Sequence, residues 1–159
     1  MSRLRTATSQ AVAAQPRCPP FVSALLRMTY EVTRRRVLKA LMDRGFTDLN
    51  QAHLSVFQYP PPEGVRPTDL ADRTYMTKQA MNYLLGQLQS LGYIERRAER
   101  GQSRRLVFLT PRGRQVVETQ WATTQQLEKE WAAIVGQKRF EEFTGTLREL
   151  SSLNSNGGI

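Results

Sequence analysis

Between Thr77 and Tyr83 the sequence reads T-K-Q-A-M-N-Y. Gln79 and Asn82 stand three residues apart, so both fall on one side of a helix. Each ends in a primary amide, a donor and an acceptor side by side, the pattern that matches N6 and N7 of adenine in the major groove. Thr77, Lys78 and Tyr83 add hydroxyls and a cation suited to phosphate oxygens, contacts that fix position rather than sequence. The plainer alternative is the solvated side of an amphipathic helix. Catalysis has far less to work with. The chain has one His and one Cys, too few for a usual zinc site. It has no glycine loop to cradle a phosphate and no Ser/His/acid set. We therefore expect no enzyme, no catalytic residue, no metal and no cofactor.

These side chains need a helix to carry them. Ala80, Met81, Leu84, Leu85, Leu88 and Leu91 recur at helical spacing, Thr77 is a candidate N-cap, and Gly92 a candidate stop. A shorter helix precedes it: Pro67 suits a first helical position, and Leu70 and Ala71 give the apolar face. Tyr75-Met76 makes the turn between them. Tyr93-Ile94 and Leu106 to Leu109 read as two short strands joined by a basic loop that holds Arg100 and Arg104, with Arg105 just after it. Helix, turn, helix and basic hairpin outline a winged helix-turn-helix.

Charge agrees with a polyanionic partner, since the net charge is +9 and the pI about 10.4. Residues 66–114 have net +6, 1–65 net +5 and 115–159 net −2. A basic front and a slightly acidic back fit a nucleic-acid face with an interaction module behind it. A single Cys18 excludes an intramolecular disulfide framework and suits a reducing cytoplasm. No apolar run approaches the ~20 residues that span a bilayer, so no membrane partner is expected. The first 30 residues contain no acid. Organelle transit peptides share that composition, but we read residues 1–18 as a disordered basic arm.

Around this centre lie further helices. Pro19-Pro20 opens a long one that ends near Arg44, with Gly45 as its stop and Arg34-Arg35-Arg36 as a charge run. A second runs from about Asn50 to Tyr59, capped by Asp48 or Asn50 and halted by Pro60-Pro61-Pro62. Thr110-Pro111 starts another, in which Val117, Trp121, Thr124, Glu128, Trp131 and Val135 recur at three- and four-residue steps until Gly136. A last helix carries Phe140, Phe143, Leu147 and Leu150. The fold class expected is mainly α with a small β-wing: a winged helix-turn-helix (47–110) flanked by dimerisation helices (19–46 and 111–153), with a flexible tail (154–159). Packing of the flanking helices on their own domain is the alternative to a homodimer.

The ordered set resembles the multiple-antibiotic-resistance regulator (MarR) family. The residues that carry the resemblance are Asp69-Leu70-Ala71-Asp72, Leu88-Gln89-Ser90-Leu91-Gly92-Tyr93-Ile94-Glu95-Arg96 and Leu109-Thr110-Pro111-Arg112-Gly113. Leu49-Asn50-Gln51-Ala52-His53-Leu54 is similar to the family's second-helix start, and the resemblance covers residues 19–152. It implies a homodimeric, sequence-specific transcriptional regulator, a repressor, on a pseudo-palindromic operator with half-sites about 34–36 Å apart. The family wing carries an Asp-x-Arg; here those positions are Gly101 and Ser103. Either Arg100 or Arg104 contacts DNA without the buttressing carboxylate, or minor-groove reading is weakened.

Family members often bind small aromatic or phenolic effectors between the dimer helices and the wing domain. Candidates here are Tyr30, Arg34 and His53, with Trp121 as an apolar wall; a buried, hydrogen-bonded packing role is the alternative for His53. Some relatives sense peroxide through a cysteine at the start of the first helix, which makes redox sensing through Cys18 a second reading. A third is a winged-helix architectural protein without operator choice. Any of these places the chain in a bacterial or archaeal cytoplasm, at the nucleoid.

Overall fold

The structure is a computed structural model that describes residues 21–58, 61–98 and 105–155. The expected arm, Cys18, Arg100, Arg104, Gly101, Ser103 and the last four residues lie outside that range. Among the described residues six helices and one hairpin follow in order: α1 (Val22–Asp43), α2 (Gln51–Leu54), α3 (Pro67–Arg73), α4 (Lys78–Ser90), β1 (Ile94–Ala98), β2 (Arg105–Leu109), α5 (Pro111–Val135) and α6 (Gln137–Ser155). The fold is mainly α with a small β-wing, as expected.

Helix ends follow local chemistry. Gly45 takes φ 89°, its N–H donates to Met42 O, and the N–H of Phe46 donates to Leu41 O. This pair of bonds satisfies the last carbonyls of α1, and Phe46 and Leu41 meet in the core. Gly92 repeats it after α4, with bonds from Gly92 to Gln89 O and from Tyr93 to Leu88 O. Thr77 and Thr110 cap α4 and α5 by accepting from Ala80 and Gly113, each at 3.1 Å. The turn between α3 and α4 has the same bonding, from Tyr75 to Asp72 O and from Met76 to Ala71 O, but tyrosine fills the left-handed position at φ 54°.

Three boundaries differ from the sequence reading. The second helix is shorter: α2 ends at Leu54, and the N–H groups of Ser55, Val56 and Phe57 bond three residues back instead of four. That tighter winding turns Val56 and Phe57 into the core. Tyr93 precedes β1, which instead runs on to Ala98 and pairs antiparallel with β2 from Ile94↔Leu109 to Ala98↔Arg105. Val65 bridges to Val107 beside it. The last helix continues to Ser155.

One core joins the elements. Met81, Leu84, Leu85 and Leu88 of α4 pack with Leu70 and Ala71 of α3, Phe57, Tyr93, Ile94 and Val107. Val37 and Leu41 of α1 and Val116 and Val117 of α5 belong to the same cluster. The flanking helices are therefore rooted in the winged helix. Their far ends are bare: Phe21 just before α1, Val22, Leu25 and Met28 on it, Ile134 on α5, and Phe143 and Leu150 on α6 are exposed. No helix among the described residues is long and apolar enough to cross a membrane.

Candidate nucleic-acid interface

Burial divides α4 cleanly. Met81, Leu84, Leu85 and Leu88 face the core, while Lys78, Gln79, Asn82 and Tyr83 are exposed on the other side, beginning beside the cap Thr77. The five helix residues singled out in the sequence thus share one solvent face at the N-terminal end of one helix. Asn82 is not idle there: its Nδ2 donates to Lys78 O at 3.0 Å. Gln79 makes no side-chain hydrogen bond among the described residues.

Two partners of this face were not foreseen. Arg96 of β1 reaches back to α4, its Nη2 donating to Asn82 O at 3.2 Å. Strand alternation could have found it, because Arg96 lies two residues beyond the buried Ile94 and so on the same face. Gln87, one turn after Tyr83, donates from Nε2 to the Tyr83 hydroxyl at 3.1 Å, and its Oε1 lies 2.9 Å from His53 Nε2.

The acids of this side are engaged. Arg66 donates to Asp69 at 3.0 Å and holds that carboxyl below its ordinary value. Arg97 pairs with Glu95, lowering the carboxyl in the same way, and its guanidinium lies 5.0 Å from the Phe108 ring centroid. Arg114 pairs with Glu63 at 2.7 Å. Lys78 and Arg105 form no ion pair among the described residues, and Arg105 stands exposed at the start of β2. The arrangement offers amides and hydroxyls on a helix, flanked by the Arg96 guanidinium of the hairpin.

Behind this face, Asp48, Tyr93 and Arg112 lock the base of α5 to the end of α4. The Tyr93 hydroxyl donates to Asp48 Oδ1. Arg112 donates to Asp48 Oδ2 and to Leu91 O, both at 2.9 Å, and its guanidinium lies 4.4 Å from the Tyr93 ring centroid.

The structure does not gather the four effector candidates into one site. Tyr30 and Arg34 line a cavity of about 50 Å³ between α1, α2 and α5, with Leu54, Gln58, Gln120 and Thr124. Arg34 Nη2 donates to Gln51 O at 2.8 Å, and the Tyr30 hydroxyl accepts from Gln58. Arg34 Nε and Gln120 Oε1 are buried without a partner among the described residues. Trp121 borders a separate, shallow hollow with Thr124, Gln125 and Glu128. His53 is buried and turned toward α4, where it borders an open groove with Asn82, Tyr83 and Gln87. Among the described residues no group of three His, Cys, Asp or Glu could hold a metal ion.

Comparison with known proteins adds a family to this geometry. Residues 59–105 match the MarR family model. A MarR regulator from Methanosarcina mazei is 16% identical, with 87% of this chain and 92% of that chain covered and a TM-score of 0.70. The Mycobacterium tuberculosis MarR family protein Rv2887, solved with salicylic acid, is 27% identical over 84% of this chain and 98% of that one, with a TM-score of 0.61. The same protein solved with DNA aligns at 24% identity over 83% and 98%, with a TM-score of 0.59. No curated protein matches this sequence. The matched segment contains the turn, α4 and β1, around which the exposed amides are arranged, and the chain is similar to MarR family transcription regulators over most of its length.

Proposed function

We propose that the chain is a sequence-specific DNA-binding repressor that acts as a homodimer in the cytoplasm, at the nucleoid. The observation that carries this reading is the exposed face of α4. Thr77, Lys78, Gln79, Asn82 and Tyr83 are arrayed there, while every large apolar residue between Met81 and Leu88 except Tyr83 is buried. Arg96 flanks it from the hairpin, reaching the carbonyl of Asn82. The M. tuberculosis relative solved with DNA supports the partner. The apolar ends of α1, α5 and α6 support the dimer, because exposed clusters of this kind mark association surfaces.

A small aromatic effector fits the same frame. The M. tuberculosis relative was solved with salicylic acid, and the Tyr30–Arg34 cavity offers an unpartnered donor and acceptor. Its volume of about 50 Å³ suits a water molecule rather than an aromatic ring. Effector binding here therefore requires α1 and α5 to separate, and such a movement would shift α2 and the recognition helix with them.

A competition assay decides between operator choice and indiscriminate coating. The repressor reading expects the intergenic DNA beside the gene to be preferred over bulk DNA by ~10³-fold or more. Near-equal affinity with a steep salt slope would instead mean an architectural protein.

A further inference from the structure

We infer that His53 and Gln87, neither of which need touch DNA, fix the Tyr83 hydroxyl as an outward hydrogen-bond donor to an acceptor on the nucleic acid. The inference rests on the DNA-binding reading of α4.

The direction of each bond follows from one backbone group. The N–H of Asn50 points at His53 Nδ1 at 3.3 Å, as part of the reciprocal cap that starts α2. A backbone amide can only donate, so Nδ1 must offer its lone pair, and the ring proton of a neutral imidazole must sit on Nε2. Nε2 therefore donates to Gln87 across 2.9 Å and needs the oxygen of that amide, Oε1, to face it. A flipped Gln87 would set two donors against each other. With the amide fixed, its Nε2 is the group left for Tyr83, and it donates to the hydroxyl at 3.1 Å. A phenol has one proton. Since the oxygen already accepts from inside, the proton is free for the solvent side, where Tyr83 is 67% exposed.

The relay also explains why a buried histidine sits under the recognition helix. His53 is only 3% exposed, and both ring nitrogens are committed. It connects the start of α2 to the outward face of α4 through a polar side chain at the groove between them. A donor held outward suits a phosphate oxygen, or a base acceptor such as guanine O6 or N7. A free-swinging hydroxyl would lose part of that contact to rotor freedom.

The test has two arms on the full chain. His53 is the sole histidine, so a nitrogen-15 spectrum of the ring reports it directly. At neutral pH the relay expects a bare Nδ1 and a protonated Nε2. An Nδ1–H tautomer, or a ring protonated on both nitrogens, overturns it. In the second arm, binding to the intergenic duplex and to a scrambled duplex is measured for Tyr83→Phe, Gln87→Met and the double variant. Each single change is expected to weaken binding by about 3–10-fold, the worth of one hydrogen bond. The double variant should stay within about 2-fold of Tyr83→Phe alone, because the two changes remove one interaction. Losses that multiply overturn the relay. Wild-type protein that binds neither duplex overturns the DNA reading instead, and is told apart because the ring spectrum needs no DNA.

Discussion

A methyl group on Gly113 would stand 2.1 Å from the carbonyl oxygen of Tyr93. Gly113 lies in the first turn of α5, so the missing Cβ is what lets this long helix rest on the chain just after α4. The oxygen cannot yield easily, since Tyr93 O accepts from both the N–H and the hydroxyl of Thr110. Gly113→Ala is therefore expected to destabilise the fold by about 3 kcal/mol, the upper part of the usual overpacking range. Urea denaturation measures it; a loss of only a few tenths would show that α5 can slide without cost.

The same junction should respond to pH at both ends. Burial pushes the Asp48 carboxyl up, but the Tyr93 hydroxyl and the Arg112 guanidinium outweigh it and hold it below its ordinary value. A depressed acid contributes stability at neutral pH and loses it as pH falls from about 4 through the lower folded value. Burial, then the bond to Asp48, pushes Tyr93 up to about 12. The protonated phenol is favoured in the fold, so its contribution is full below about pH 10 and fades between about 10 and 12. Tyr93→Phe should cost about 1–2 kcal/mol at neutral pH and shrink both slopes. Denaturation midpoints at three pH values check this, and slopes equal to wild type would remove the pair from the pH response.

Tyr75 occupies the turn position where glycine is usual. Its φ of 54° and its 90% exposure mean that it bears left-handed strain without packing in return within the described residues. Tyr75→Gly should stabilise the chain by about 1 kcal/mol or less, since glycine also gains freedom in the unfolded state. A lower melting temperature would refute the strain account.

What the sequence made legible was short-range. Thr77 and Thr110 as caps and Gly45 and Gly92 as stops follow from bonds spanning five residues or fewer, and the apolar face of α4 follows from periodicity. Partner choice over distance was not legible. His53 and Gln87 are 34 residues apart, and Arg96 chooses the carbonyl of Asn82 across 14. The left-handed Tyr75 was hidden for a different reason: turn preferences would have placed glycine there. The extent of α2 depended on tertiary packing, which drew Val56 and Phe57 inward before the prolines could act.

Asn82 and Gln79 should differ as base readers. Asn82 spends its Nδ2 on Lys78 O in the free chain, so contact with a base must displace a bond already made. Gln79 has none to displace among the described residues. Asn82→Ala is expected to cost ~1–3 kcal/mol of operator discrimination, and Gln79→Ala at least as much. Competition against random duplex measures both. Equal losses on random DNA would show that neither amide reads sequence.

The dimer prediction turns on the far ends of the flanking helices. Trp131 is half-buried beside Thr29, Val135, Arg139, Phe140 and Phe143, around a hollow of about 400 Å³ that a single chain leaves open. Ile134, three residues on, is 79% exposed. If a second copy covers this surface, Trp131→Asp should yield monomers with much weakened operator binding, since one recognition helix reaches only one half-site. That change also disturbs the subunit's own packing. Ile134→Asp, at a side chain that lies outside the core cluster, should separate the copies with little effect on the melting of a single chain. Sedimentation at micromolar concentration distinguishes the cases. An intact dimer in the Ile134 variant would place the interface elsewhere, and a monomeric wild type would mean that α6 and the exposed start of α1 serve a different partner.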